Sequence, residues 1–564
     1  MSDLSIPYRI RLGVTGHREL VDEAAIRERV NLLFADGTII DLFDRSSKKL
    51  IQRATHTPIA FSILTPLAEG ADRLVAREVL KIPDSTIEVV LPLAKEDYLQ
   101  DFETRESRNE FESLLGKARR PVYLREVPLR DELPQAPDSE LAAARRRAYL
   151  VAGRYVVDHS DVLIAVWDEK QPRGSGGTAE IANYARGILR PVIIISAVSP
   201  HAVEVIAGHG LNAHAISGIE MYNSFNVPES QLREYVVNVS RDLFGEGEGL
   251  ELSETKPETV AMVLEGLLPH YVRVSKIAKR NQNIYRWAGM LVYSFAAAAV
   301  SVVALGTLAL GTRFEDISPF AFGFELLLLL AVFLIVFISD RRRTHKKWIE
   351  SRFLAERIRS AIFFAICGIE VSSIHIPPYM GISNRSSDWM IMSFKEIWRR
   401  LPAMNGCGGD SCPMFKRYIQ RYWLEDQIRY HDKKMSESGR TSHYLEVGGM
   451  VVFLVAIAAP ALHLLLPALG IELGGMEEAL IFAALSLPAV GAAVGGIRSH
   501  GEHSRLAKRS ESMKEALQEM FLSYQDVDSP EALESLLRKT EEQILLEARD
   551  WLTLMKFTKL HAVP

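Results

Sequence analysis

Cysteine is scarce, with three residues in 564, too few to build a disulfide framework. Cys407 and Cys412, in NGCGGDSC, lack a second ligand pair for zinc, so no metal is expected. The N-terminus, MSDLSIPYRIRLGVTG, has no basic start followed by an apolar run of signal-peptide length, and no secretory signal is expected. Positive charge is not in excess. The net charge is −5, which argues against a nucleic-acid binder that relies on an overall positive field. Neither GxGxxG nor GxxxxGK followed by Ser or Thr occurs, so neither an ordinary NAD site nor a P-loop is expected, and no cofactor is assigned.

Apolar residues are plentiful. They make up 48% of the chain while 24% of residues are charged, and the mean hydropathy is +0.04. These values fit together only if the apolar residues are concentrated. The first long uncharged stretch is Trp287 to Gly311, which as a helix spans roughly 37 Å, enough to cross a bilayer. A second runs from Ile317 to Ser339 and contains Glu325, a third from Val447 to Gly470 with Pro460, His463 and Pro467, and a fourth from Ala479 to Ile497.

Charge asymmetry sets the orientation. Lys276, Lys279, Arg280 and Arg286 precede the first stretch, RRRTHKK (Arg341 to Lys347) follows the second, and Arg498, Arg505, Lys508 and Arg509 follow the fourth. The loops between the first and second and between the third and fourth hold Arg313, Glu315 and Asp316, and then Glu472, Glu477 and Glu478. Four crossings with both termini in the cytoplasm satisfy the rule at each loop. The expected organisation is a soluble head over 1–200, a connector over 201–280, a first transmembrane hairpin within 281–345, a cytoplasmic helical region over 346–445, a second hairpin within 446–500 and C-terminal cytoplasmic helices over 501–564. In the last of these, Ser529-Pro530-Glu531 has the form of a helix start, with an N-cap serine and proline at the first helical position.

In the head, β-branched runs alternate with helical patterns. Strands are predicted at Arg9 to Val14, Ile59 to Leu64, Thr86 to Leu91, Val162 to Trp167 and Val192 to Ile195, with amphipathic stretches such as Ala71 to Lys81 and Ala143 to Val157. This is the pattern of an α/β domain with a parallel sheet, joined here to an all-α membrane domain of four transmembrane helices and a cytoplasmic helical bundle. Ligands on such sheets bind outside the carboxyl ends of the strands, where the unusual residues cluster. Gly13, Thr15, Gly16, His17 and Arg18 close the first strand, Glu69, Gly70 and Asp72 follow the second, and Trp167 leads into Gly174, Gly176, Gly177, Thr178 and Glu180. Glycines let a backbone approach a ligand closely, and a helix N-terminus favours an anion. The alternatives are a plain strand-to-helix turn at Arg18 and ordinary helix-start acids at Glu69 and Asp72.

GVTGHR, LAEGADRL, YVVDHSDVLIAVWD and GSGGTAE together resemble the SLOG superfamily, Rossmann-like domains related to the LOG phosphoribohydrolases and the DNA-processing protein DprA. The resemblance covers about residues 8–200 and implies recognition of a nucleotide-derived small molecule by Gly16, His17, Arg18, Glu69, Gly70, Asp72, Gly176, Gly177, Thr178 and Glu180. The LOG enzymes carry GGxGTxxE, whereas this chain has GSGGTAE, with Ile181 three positions after the threonine. That departure points to sensing rather than hydrolysis, and no catalytic residue is assigned. The hairpin followed by Trp348 to Arg359, of pattern R..AE.(I/L)R, resembles the SLATT domains, two-transmembrane effectors that accompany SLOG domains and are regarded as pore-formers in bacterial conflict systems. Ser504 to Arg509 suggests a second copy after the last stretch. The combination implies a homo-oligomeric effector in the bacterial inner membrane, its partners a nucleotide-derived ligand and the lipid bilayer, with no nucleic acid. Glu325 is either a pore-lining or an interfacial carboxylate. Gly491 to Gly495 offers a small-residue face for helix packing. A membrane-anchored nucleotide-processing enzyme, with Glu69, Asp72 or Glu180 as general acid or base, is the alternative. A transporter is disfavoured by the scarcity of charge within the spans.

Overall fold

The computed structural model describes residues 4–168, 177–200, 202–211, 213–310, 315–371, 389–404, 406 and 411–556, with backbone alone at 315 and 547–556. The chain divides into two compact units, Met1–Asn226 with Ser383–Ala403, and Val227–Ile382 with Met404–Pro564.

The first unit is built on a sheet of seven strands: β1 (Tyr8–Gly16), β2 (Ile59–Thr65), β3 (Thr86–Leu91), β4 (Val122–Tyr123), β5 (Val162–Trp167), β6 (Val192–Ser196) and β7 (Val203–Ile206). Their order is β4-β3-β2-β1-β5-β6-β7, and every neighbouring pair is parallel except β6 and β7. The order reverses between β1 and β5, which lie side by side with Gly16 opposite Val166. β5, VLIAVW, is buried at every residue, as expected of a central parallel strand covered on both faces. β7, VEVI, is a partly exposed antiparallel edge. Intervening helices include α1 (Glu23–Ala35), α2 (Ala71–Val79), α3 (Arg105–Leu115), α4 (Asp138–His159), α5 (Thr178–Gly187) and α6 (Ile216–Asn223). The expected strands are present, with β1 two residues longer at its carboxyl end. β4, two residues long, and β7 were not anticipated, being too short or too charged to give a periodic signal.

This unit extends past residue 200 and takes in a segment from far along the chain. Asn223 of α6 bonds Ile6 through both its amide nitrogen and oxygen at 2.9 Å. A helix at Trp389–Arg399, inserted from between the two expected hairpins, packs beside α6. Its Glu396 accepts from Nε and Nη2 of Arg9 at 2.8 Å each, with both side chains 7% exposed. Arg399 pairs with Glu88 at 2.8 Å. Trp389 fills the space over Gly218 that a side chain there would occupy. Removing one partner of a buried pair costs about 3–5 kcal/mol, so the inserted helix is part of this unit's fold.

The second unit is helical. Its long elements are α7 (Leu268–Ala309), α8 (Ser318–Arg342), α9 (Thr344–Ile366), α10 (Asp426–Ala468), α11 (Met476–Gly501), α12 (His503–Ser523) and α13 (Pro530–Lys556). Four helical stretches are long and apolar enough to cross a membrane, within Pro257–Ala309, Ser318–Arg342, Cys412–Ala468 and Met476–Asp526. Large apolar side chains such as Phe320, Phe333, Leu464 and Leu465 are exposed on them, as are Trp287 and Tyr444 near the ends of the apolar runs. The prolines of the third stretch do not break it. Pro460 and Pro467 lie inside α10, as Pro488 lies inside α11.

The long helices of this unit follow the same arrangement twice. α7 packs on α8 and α9, and α10 packs on α11 and α12. The long helices have 42 and 43 residues, the apolar ones 25 and 26, and the following ones 23 and 21. In each half a single left-handed residue separates the last two helices, Arg343 (φ 50°) and Glu502 (φ 48°). That conformation costs a non-glycine residue about 1–2 kcal/mol, so a matching break in both halves is a feature of the design. α13 starts at Pro530 with the Ser529 hydroxyl accepting from Ala532 N–H at 3.1 Å. It is tied to α9 by the buried Arg357–Glu541 ion pair, and burial, with Arg538 nearby, pulls the Arg357 guanidinium down to about 9.

Candidate functional site

The carboxyl ends of β1, β2 and β5 meet where the strand order reverses, the position at which open α/β sheets leave a crevice. The β1 ladder continues one residue beyond the strand, with His17 N–H donating to Val166 O at 3.1 Å. His17 Nε2 then lies 3.2 Å from the amide nitrogen of Asp168 and 3.3 Å from its Oδ1, so the imidazole joins the ends of β1 and β5.

After β2, Thr65 Oγ1 accepts from Leu67 N–H at 2.9 Å and donates to Asp72 Oδ2 at 3.4 Å. The chain then passes through two left-handed residues, Leu67 (φ 61°) and Gly70 (φ 79°). Ala71 N–H donates to His17 O at 3.1 Å. A Cβ on Gly70 would lie 2.1 Å from Arg18 O, and one on Gly16 would lie 2.3 Å from Ala71 Cβ. Both glycines therefore serve the contact of one loop with the other. Gly13 sits inside β1, where a Cβ would lie 2.7 Å from Ser160 Oγ, so its role is also packing. Thr15 is a half-buried strand residue next to Gly16.

Asp72 is 3% exposed. Burial pushes its carboxyl up to about 7, against the opposing pull of the Ala68 N–H, the Thr65 hydroxyl, Arg18 and Arg73. Glu69 accepts from the Ser107 hydroxyl of α3. Arg73, which sequence reading left aside, holds this loop in place. Its Nε donates to Leu67 O at 3.1 Å, its Nη1 to Ser107 O at 2.9 Å, and its guanidinium lies 4.4 Å from the Phe102 ring centre.

Arg18 is an open cation, with its side chain 48% exposed. Its Nη2 donates to Asp101 Oδ2 at 3.3 Å, and Asp101 also accepts from Arg145 and Tyr149 of α4. Burial lowers the Arg18 pKa, but Asp101, Tyr98 and Tyr149 more than offset this and leave it raised. Burial, then the bond to Asp101, raises the Tyr149 phenol. Asp101, Arg145 and Tyr149 carry no motif, and only the fold brings them under Arg18.

Trp167, 5% exposed, ends β5 beneath Arg186, whose guanidinium lies 5.6 Å from its ring. Gly174 and Gly176 lie outside the described residues. Gly177 is the exposed residue preceding α5, which starts at Thr178, and Glu180 in its first turn lies 3.9 Å from Arg154. The open groups just past the end of β1 are thus Arg18 and His17, with carboxylates at Glu69 after β2 and Asp168 after β5, while Glu180 marks the start of α5. An arginine and free helix N–H groups suit a phosphate, and carboxylates suit sugar hydroxyls.

In the second unit, Glu325 is half-buried. It continues the stripe of Ser318, Ala321, Leu328 and Val332 that packs α8 on α7, where Gly306 admits Ala321. His463 is half-buried in α10. On α11 the Gly491 position lies 3.6 Å from Val452 and the Gly495 position is open, while the next residue, Gly496, makes room for the Tyr293 ring. Cys412 is buried and Cys407 lies outside the described residues. Among the described residues, no three His, Cys, Asp or Glu side chains gather as a metal site. No protein-family model matches the chain, and no curated protein matches it.

Proposed function

We propose that the chain is a membrane effector gated by a nucleotide-derived second messenger. Its first unit is a SLOG-like sensor, and its second unit is a duplicated SLATT-like membrane domain with both termini cytoplasmic. The observation that carries this reading is the meeting of three strand ends at the point of order reversal, with Arg18, just past the end of β1, held by Asp101. In this reading Arg18 and the α5 N–H groups hold a phosphate, while Asp168, Glu69 and Glu180 take hydroxyl groups. His17 links the β1 and β5 ends, so a ligand that moves Arg18 pulls on both. Binding shifts the equilibrium only by its difference in affinity for the two states. The homo-oligomer then opens or disrupts the bacterial inner membrane, as an antiviral response. Exposed apolar helices in pairs support the membrane placement.

One observation favours a second reading, a membrane-anchored nucleotide-processing enzyme. A carboxyl poised near 7, as at Asp72, is suited to general acid–base work. Against it, Asp72 is enclosed by Thr65 and Ala68.

Mass spectrometry of small molecules released from the purified full chain tests the proposal. A phosphorylated nucleoside derivative is expected with the wild type and absent from Arg18→Ala. Recovery of the same compound at equal yield from both would refute the assignment. The full chain is needed, because residues 1–200 alone lack the inserted helix and its buried Glu396.

A further inference from the structure

The two halves of the second unit differ in how they neutralise charge at their matching breaks. At the Glu502 break the cations are answered within the chain, Arg505 by Glu502 at 3.4 Å and Arg498 by Glu446 at 2.8 Å. At the Arg343 break, Lys346 pairs with Glu350 at 3.5 Å. The remaining cations, Arg341, Arg342, Arg343 and Lys347, line an open cleft of about 570 Å³ together with Ile338. Among the described residues, no carboxylate lies in ion-pair contact with any of these four. Burial and the neighbouring Arg342 and Arg343 hold the Lys347 amine below its ordinary value. The left-handed Arg343 turns the chain so that the end of α8 and the start of α9 face one hollow. A topology signal requires only charge on one side of the bilayer. It does not require four cations gathered around a concavity by a strained residue.

We propose that this cleft binds a phosphate-bearing anion, the chemistry shared by an anionic phospholipid headgroup and free phosphate. Arginine forks match phosphate oxygens in pairs, and lysine adds a point charge. The cleft follows Ile338, at the end of the apolar part of α8, which is headgroup depth if α8 crosses the bilayer. The site is independent of the messenger reading, and only its lipid source rests on the membrane placement.

The test uses the full chain in detergent micelles doped with equal amounts of phosphatidylglycerol and phosphatidylcholine, read by native mass spectrometry. The wild type is expected to retain phosphatidylglycerol in preference to phosphatidylcholine by about tenfold or more, given the several unanswered cations near the surface. Each charge removed costs about fivefold in affinity, so R342Q/R343Q/K347Q loses the preference. R342K/R343K, which keeps the charge, retains part of it and separates loss of the site from misfolding. R498Q/R505Q, altered at the answered break, keeps all of it. A second arm adds inorganic phosphate to protein in phosphatidylcholine micelles and reads phosphorus-31 line broadening. Lipid preference without broadening assigns the headgroup as the ligand, broadening without lipid preference assigns free phosphate, and both together support the shared chemistry. Absence of both in the wild type overturns the proposal, as does an equal response from the triple variant.

Discussion

Asp72 offers a quantitative test of the site's geometry, through Asp72→Asn. The asparagine keeps the shape of the side chain and removes its titration. In the folded chain burial raises this carboxyl from 3.8 to about 7. A raised carboxyl contributes stability that is fully present below pH 3.8 and is lost as the pH rises towards 7, because the folded state keeps a proton that the unfolded state has released. At 1.36 kcal/mol per unit, the loss between pH 5 and pH 8 is about 2.5 kcal/mol. Asp72→Asn lacks this slope. Hydrogen exchange of the β1 and β2 amides, in wild type and variant at matched pH, isolates it. The ratio of opening constants, wild type over variant, is expected to rise roughly seventyfold from pH 5 to pH 8. A ratio that stays flat would show that Asp72 is solvated, and the described packing of the β2 turn would be wrong.

Gly70→Ala places a Cβ 2.1 Å from Arg18 O at a backbone angle of 79°. It is expected to cost about 2 kcal/mol or more and to release the co-purifying ligand, both readable by thermal melting and mass spectrometry. Glu396→Ala leaves Arg9 buried without its carboxylate and should cost about 3–5 kcal/mol. The double substitution Arg9→Met with Glu396→Leu should recover most of that loss, as seen in resistance of the first unit to limited proteolysis.

Much of the fold was legible because its signals are local. The buried runs at Ile59–Thr65, Thr86–Leu91 and Val162–Trp167 could be read as parallel strands, and the four apolar stretches as long helices. The inserted helix was not legible. Trp389–Arg399 reads as one amphipathic helix among several, and its place is decided by Arg9, 387 residues away. The length of α7 was also hidden. Its charged first half resembles a connector, yet Val272, Val274 and Ile277 bury it. In the site, the motif residues of the first two loops lie at the carboxyl ends of β1 and β2, where Gly16 and Gly70 pack loop against loop. Asp101, Arg145 and Tyr149, which orient Arg18, stand in stretches without any pattern, and only tertiary folding collects them. The left-handed breaks at Arg343 and Glu502 were invisible for a related reason, since neither residue type favours that conformation.

In the proposed function, an event at Arg18 opens a membrane path formed by the paired apolar helices. Dye release from liposomes containing the full chain tests it most directly, with a panel of cyclic nucleotides and ADP-ribose derivatives added from the side of the first unit. Release is expected with at least one compound that binds the wild type, and none with Arg18→Ala at the same protein load. A compound that binds the wild type tightly and releases no dye, across the whole panel, would contradict it.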